Sequence, residues 1–267
     1  MKTSIQLYNK LKQKVGVCYS QLKLNKLEKT KGRKLAIQIV DIVSLGLFKQ
    51  LNGIPTKKAL YKIFRPKCSY KTLVISINRF ARLALLILLA LLKINQTKAS
   101  IVKHTDSTEL PVCLNKNAKY HKTMSLLSNW GKNGKGWFYG LKLHLTSDLK
   151  RNILSVRFTS GNAPDSKVFM ELNKDIDGIF VADGGYISKD LQEKFYKENK
   201  RILFVAPRRN MKKIITSWQF HLYNTRMLIE LNFRSLKMFH NLITSLPRSV
   251  DGYLANYTYS LLSYLLS

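Results

Sequence analysis

Glu230 is the single acidic residue between Glu198 and Asp251, and nine Lys or Arg side chains surround it between positions 201 and 248. At about 100° per residue on a helix, Tyr223, Arg226, Glu230, Arg234 and Lys237 fall within an arc of roughly 80°. The rest of that wheel is apolar or small and polar, which describes a helix mostly wrapped in core with one wet, charged stripe. Solvated helix faces usually mix both signs, so a lone carboxylate among cations fits a place beside metal and phosphate. Two more carboxylates could join it: Asp106, in His104-Thr105-Asp106-Ser107-Thr108, and Asp183, in Val181-Ala182-Asp183-Gly184-Gly185-Tyr186. Three hard oxygen ligands of this kind can hold two divalent cations that keep water and substrate phosphate in their remaining positions. Two ions about 4 Å apart activate a water or a 3′-hydroxyl and steady the leaving oxygen during in-line attack on a phosphodiester.

The elements that must position these groups can be read from residue 100 onward. Strand-like alternation over 100–109 holds Asp106, and a Lys, Asn and Gly-rich loop follows to Gly136. Residues 137–146 and 153–159 then read as a hairpin around Ser147-Asp148-Leu149-Lys150. Asp165 caps a helix over 166–173. A short buried strand over 178–182 ends at Asp183, a polar helix covers 188–199, and a last strand over 202–206 is stopped by Pro207. A continuous helix carrying Tyr223 to Lys237 closes the series. This order predicts an α/β (α+β) catalytic domain over 99–267, a mixed sheet flanked by helices as in ribonuclease H-like folds. If the strands that carry Asp106 and Asp183 are neighbours, both carboxylates can meet Glu230 at one sheet edge.

Residues 1–98 read differently, as a basic helical region for DNA binding or oligomerisation, broken at Asn52-Gly53-Ile54-Pro55 and Arg65-Pro66. Residues 1–100 carry 21 Lys or Arg against only Glu28 and Asp41, and the whole chain has a net charge of +31. Such an excess points to a polyanion, nucleic acid first and an anionic membrane surface second. The 45% hydrophobic content excludes a disordered basic tail. The longest apolar run, over 83–92, is about half of what a bilayer span needs and predicts a helix buried in protein, with no membrane role. Cys18, Cys68 and Cys113 form neither a disulfide framework nor a metal pair, which with the polar start Met1-Lys2-Thr3-Ser4 points to a reducing cytoplasm.

Each carboxylate alone also has a plain reading: a polar strand end for Asp106, a turn for Asp183-Gly184-Gly185, and an i, i+4 ion pair for Arg226 and Glu230. Their joint order on the right elements favours the catalytic one. Glu109, Asp148, Asp165 and Asp251 sit in turn, cap or late-helix contexts and are set aside. Lys119 and Lys122, in the basic loop, are candidate DNA contacts. Trp130, Trp137 and Trp218 could stack on bases, although Trp137, in a strand, is expected in the core. His104 shares a strand face with Asp106 but is expected to be packed.

These residues resemble the DDE transposases of bacterial insertion sequences, most closely the insertion sequence 982 family. The resemblance runs through Asp106-Ser107-Thr108, Pro111-Val112-Cys113, His121-Lys122, Gly136-Trp137-Phe138-Tyr139-Gly140-Leu141-Lys142-Leu143-His144, Gly161-Asn162 and Asp183-Gly184-Gly185-Tyr186. It ends on Tyr223-x2-Arg226-x3-Glu230-x6-Lys237, the spacing of the Y-R-E-K signature of insertion sequence 4-like transposases. It implies Asp106, Asp183 and Glu230 as catalytic, metal-binding residues, with Mg2+ or Mn2+, two ions in all. Tyr223, Arg226 and Lys237 would grip transposon-end phosphates, and Arg234, on the same charged stripe, is a further candidate DNA contact. The partners implied are the terminal inverted repeats and target DNA, held by a homodimer in the bacterial cytoplasm at the nucleoid. Gly184 stands where the family often carries Lys or Ala, and the short segment before the Glu230 helix leaves no room for the β insertion of some relatives. A metal-dependent nuclease without strand transfer, and an inactive DNA-binding relic, are the alternatives.

Overall fold

The computed structural model describes residues 2–27, 34–205 and 214–267. Glu28, Ala206 and Pro207 lie outside the described residues. The chain divides into a helical unit, Met1–Leu91 with Ser235–Ser267, and an α/β unit, Leu92–Arg234.

In the helical unit, helix α1 (Lys2–Gln21) packs on α2 (Ile39–Leu51), whose ten residues from Ile39 to Gln50 that are named as buried include Ser44, Lys49 and Gln50. A helix apolar nearly all round has to be enclosed. Tyr8, Phe48 and Phe64 form one ring cluster, with centroids 5.0 Å apart for the Tyr8–Phe64 and Phe48–Phe64 pairs. The predicted breaks fall at helix ends. Gly53 adopts φ +60° just after α2, and α3 (Lys57–Phe64) starts at the Thr56 cap and stops at Arg65, before Pro66. Helix α9 (Val250–Leu266) returns to α2, and Gly46 lets the Tyr259 ring approach, since a Cβ there would lie 2.6 Å from it.

Helix α4 (Tyr70–Thr97) is longer than the apolar run predicts. Its Ile77, Ala84, Ile87 and Leu88 are buried, whereas Ile75, Leu85, Leu86 and Leu89 are exposed. The expectation of a helix buried in protein therefore holds for one face only, because the apolar run is wider than the stripe its neighbours cover. Among the described residues α4 is long and apolar enough to cross a membrane by length and composition, a test that core helices of soluble proteins also pass.

The α/β unit is built on a six-stranded mixed sheet: β1 (Val102–Pro111), β2 (Asn129–Asn133), β3 (Gly136–Asp148), β4 (Ile153–Ser160), β5 (Ile179–Ala182) and β6 (Ile202–Val205). β3 is the long spine. One of its edges pairs antiparallel with β1, and the other pairs with β2 and then β4. β5 and β6 continue parallel beyond β1. Strand β2 corrects the reading of residues 116–135 as a loop; its polar sequence carries no strand period, and pairing with β3 makes it a strand. At this crossing of strands three glycines are needed for close approach. A Cβ at Gly140 would lie 2.1 Å from the Leu110 carbonyl oxygen, and those at Gly131 and Gly161 would lie 2.4 and 2.5 Å from the carbonyls of Gly161 and Asn129.

Helices α5 (Asp165–Leu172) and α6 (Lys189–Asn199) cover one face, where Phe169, Phe180, Phe195 and Tyr186 pack edge to face. Each such ring buried contributes roughly 2–3 kcal/mol. On the other face α7 (Ser217–Asn224) sets Leu222 against Val102 and Val181. Helix α8 (Met227–Phe239) follows after a two-residue turn, Thr225 and Arg226. The continuous helix expected from Tyr223 to Lys237 is thus broken. The Thr225 hydroxyl donates to the Leu222 carbonyl at 2.6 Å and so accepts at 2.8 Å from Nε2 of the buried His104 ring, and a side chain competes with the helical ladder there. α8 is also not wrapped in core: Ile229, Asn232, Phe233 and Leu236 are buried, but Met227, Leu231, Met238 and Phe239 are exposed.

Candidate active site

Strand register puts two carboxylates side by side. His104 on β1 pairs with Val181 on β5, and Thr105 with Ala182. Asp106 lies two residues past His104 and Asp183 two past Val181, so alternation sends both to the same face, just beyond the last paired residues. Val181 shows which face this is, for it packs against Leu222 of α7. The break after α7 then brings Arg226 over Asp106. Its Nη1 donates to Asp106 Oδ2 at 3.2 Å and its Nη2 to Glu230 Oε1 at 2.7 Å, and its guanidinium lies 5.8 Å from the centroid of the Tyr223 ring. Asp106 Oδ1 accepts from the Ser107 amide at 2.8 Å, and Asp183 Oδ1 accepts from Gly184 N.

Burial pushes the Asp106 carboxyl up to about 7, and the nearby Asp183 and Asp165 carboxylates add to that rise, while the Ser107 amide and Arg226 oppose it. Arg226 is itself raised by Asp106 and Glu230 in spite of its desolvation. His104 is buried and held near 4 by desolvation, so it is a neutral group that fixes the Thr225 turn rather than one that lines the site.

Asp165 belongs to this neighbourhood too. The helix is capped at Pro164 without a side-chain bond, so Asp165 is not the cap expected from sequence. Its carboxylate instead accepts from Lys142 Nζ at 3.0 Å and from Ser107 Oγ at 2.9 Å. Tyr186 is a second residue missed. Among the described residues its buried hydroxyl has no hydrogen-bond partner, and burial, with Asp165, Asp106 and Asp183 adding to it, drives its pKa well up. No sequence signal marks these roles, because both depend on β1, β3 and α5 meeting.

The remaining named residues are not gathered at this point. Arg234 is exposed on α8, Lys237 lies in its last turn, and Lys119 and Lys122 are exposed on and just after the 3-10 turn Asn115–Tyr120. Trp137, expected in the core, is 59% exposed, and Lys132 Nζ sits 5.6 Å from its ring centroid. Trp130 and Trp218 are exposed as well.

The donor set fits a hard divalent cation in its chemistry: carboxylates from β1, from the end of β5 and from α8, with the orphaned Tyr186 hydroxyl within their field. As they stand, no three described Asp, Glu, His or Cys side chains are close enough to hold an ion. Arg226 is the cation that Asp106 and Glu230 share.

A family model described as "Transposase DDE domain" matches residues 96–250, more than half of the chain. The chain belongs to this family. No curated protein matches it. As a DDE transposase domain, it is a transposase or nuclease kind of enzyme with DNA as its partner, in a family that normally uses divalent metals. The match covers β1 to β6, α7 and α8, and so spans Asp106, Asp183 and Glu230.

Proposed function

We propose that this chain is the transposase of a bacterial insertion sequence, of the insertion sequence 982 type, with Tyr223, Arg226, Glu230 and Lys237 as its Y-R-E-K signature. Its catalytic domain is ribonuclease H-like. Asp106, Asp183 and Glu230 are its catalytic carboxylates. One observation carries the reading: two carboxylates lie on one face just past the paired residues of two adjacent parallel strands, and an arginine ties one of them to a third carboxylate on the helix that follows. A paired carboxylate and arginine alone would be an ordinary ion pair; the neighbouring Asp183, with the raised Asp106, supports reading it as a site.

Asp106, Asp183 and Glu230 would hold the ions, Mg2+ or Mn2+ and two in number. Bound there, such ions supply a lowered pKa for an attacking water or 3′-hydroxyl and counter charge on the leaving oxygen. The chain's own residues do the rest. Asp106, Asp183 and Glu230 supply the negative charge that attracts a cation, and Ser107 N–H and Gly184 N–H hold the two Asp carboxylates in place. Arg226, bonded to Asp106 and Glu230 with the Tyr223 ring beside it, would meet a DNA phosphate at the edge of the site. Arg234 and Lys237, further along α8, and Lys119 and Lys122 follow the strand. Residues 1–98 serve DNA binding or oligomerisation, and two copies hold two inverted repeats before joining them to target DNA in the bacterial cytoplasm.

The test is purified protein on labelled duplexes taken from the DNA flanking its coding sequence, with Mg2+ or Mn2+. Joined products in the wild type, absent for Glu230→Gln, are expected. Cleavage without joining would replace the reading by a nuclease, and products insensitive to the substitution would reject the proposed residues.

A further inference from the structure

The helical unit contains a cavity of about 430 Å3 whose wall comes from the end of α2, the loop into α3, the start of α4 and the turn into α9. Lys49, Lys57, Lys58 and Arg248 line it, and among the described residues no Asp or Glu does. Lys49 is only 8% exposed, and its ammonium has as acceptor the Gln50 amide oxygen at 3.4 Å, a weak bond. Lys57 donates to Asn78 Oδ1. Asp41, at the other end of α2, accepts from Lys12 at 2.7 Å and from Tyr8 at 2.7 Å. Two desolvated ammoniums without a carboxylate are costly to fold. Burial lowers both to about 8, and Lys49 adds to the fall at Lys57, so the two charges repel each other in this cavity.

The rest of the wall limits what can enter. Tyr70, Val74 and Leu246 give an apolar side. The N-terminus of α9 reaches the cavity at Ser249 and Gly252, and there a Cβ at position 252 would come 3.0 Å from Pro247. An oxyanion that accepts from several donors would satisfy both ammoniums, and the helix terminus favours the same sign. The volume exceeds that of a bare phosphate and leaves room for a planar or apolar body.

We propose that this cavity binds a phosphate group carried on a nucleotide-sized body, with the buried Lys49 and the half-buried Lys57 as the two cations that hold it. The source is either a free mononucleotide or a phosphorylated DNA end, which share that chemistry. The inference stands apart from the catalytic reading, since the cavity and its two lysines belong to the helical unit and the test needs neither metal nor cleavage.

The experiment is thermal unfolding of the full chain in metal-free buffer with sodium phosphate, deoxyadenosine 5′-monophosphate, deoxyadenosine, or sodium chloride of equal ionic strength. Phosphate and the nucleotide are expected to raise the midpoint by several degrees at about a hundredfold over Kd, and the nucleoside and chloride to leave it unchanged. Lys49→Met and Lys57→Met should lose the shift while their ligand-free midpoints hold or rise, Lys57→Arg should keep it, and Lys10→Met on the surface should not change it. A short duplex with and without a 5′-phosphate distinguishes the two sources. A midpoint that chloride raises as much as phosphate does, or a phosphate shift that survives in both Met variants, would overturn the proposal. Should either Met variant fail to fold, isothermal titration of the wild type and Lys57→Arg with the nucleotide and the nucleoside decides: equal heats for the two ligands refute the site.

Discussion

In the α/β unit Arg226 meets Asp106 and Glu230, Lys142 meets Asp165, and the buried Arg201 meets Glu198. In the helical unit Lys49 and Lys57 face a cavity lined by no carboxylate among the described residues, although Lys49 is buried and Lys57 half-buried. Desolvation penalises both arrangements alike. The difference is in what offsets it: an internal partner where the geometry around Asp106 must be kept, and space for an outside anion in the basic unit. Charge distribution along the chain anticipates this, since acidic residues are nearly absent from residues 1–100.

The comparison can be broken by substitution. The largest effect is expected where strand packing holds the site: Gly140→Ala forces a Cβ against the Leu110 carbonyl and should cost about 3 kcal/mol or more, read as a drop in the denaturation midpoint. Next, Lys142→Met leaves Asp165 partly buried without its cation and should destabilise by about 2 kcal/mol. Lys57→Met should do the opposite and stabilise by about 1 kcal/mol in phosphate-free buffer, because it removes a half-buried charge that has no counter-ion among the described residues. If chemical denaturation gave both lysine variants the same sign, the contrast between the units would fail.

A smaller effect concerns pH. His240, bonded to Ser263 Oγ at 2.8 Å, is held by burial near 4, below the ordinary histidine value of about 6.5. Its folded form therefore binds fewer protons than its unfolded form between those values. The stability it contributes is fully present above about pH 6.5 and is lost as pH falls toward 4. His240→Gln should flatten the fall of the unfolding midpoint over that window; an unchanged slope would assign the acid sensitivity to other groups.

Features governed by near neighbours in sequence were legible without the structure. Alternation marked β1, β3 and β4, Asp183 marked the end of β5, and Pro66 marked the end of α3. Features set by distant contacts were not. β2 is a strand because β3 pairs with it, the Thr225 break depends on His104 some 120 positions earlier, and Asp165 looks like a cap until Lys142 and Ser107 are brought to it. Trp137 failed for the same reason: alternation fixes which side it points to but not whether anything covers that side. The glycines at 140 and 161 were visible as motif positions, and their reason, backbone approach across strands, appeared only with the sheet.

The central claim is that Asp106, Asp183 and Glu230 act as one unit on DNA. The direct measurement is the cleavage rate of a labelled element-end duplex by Asp106→Asn, Asp183→Asn, Glu230→Gln and the triple variant, with DNA binding measured alongside. The account predicts that each single substitution lowers the rate by about a thousandfold or more, that the triple is little worse than the singles, and that binding persists. Independent, additive losses, or a single variant that retains wild-type cleavage, would contradict it.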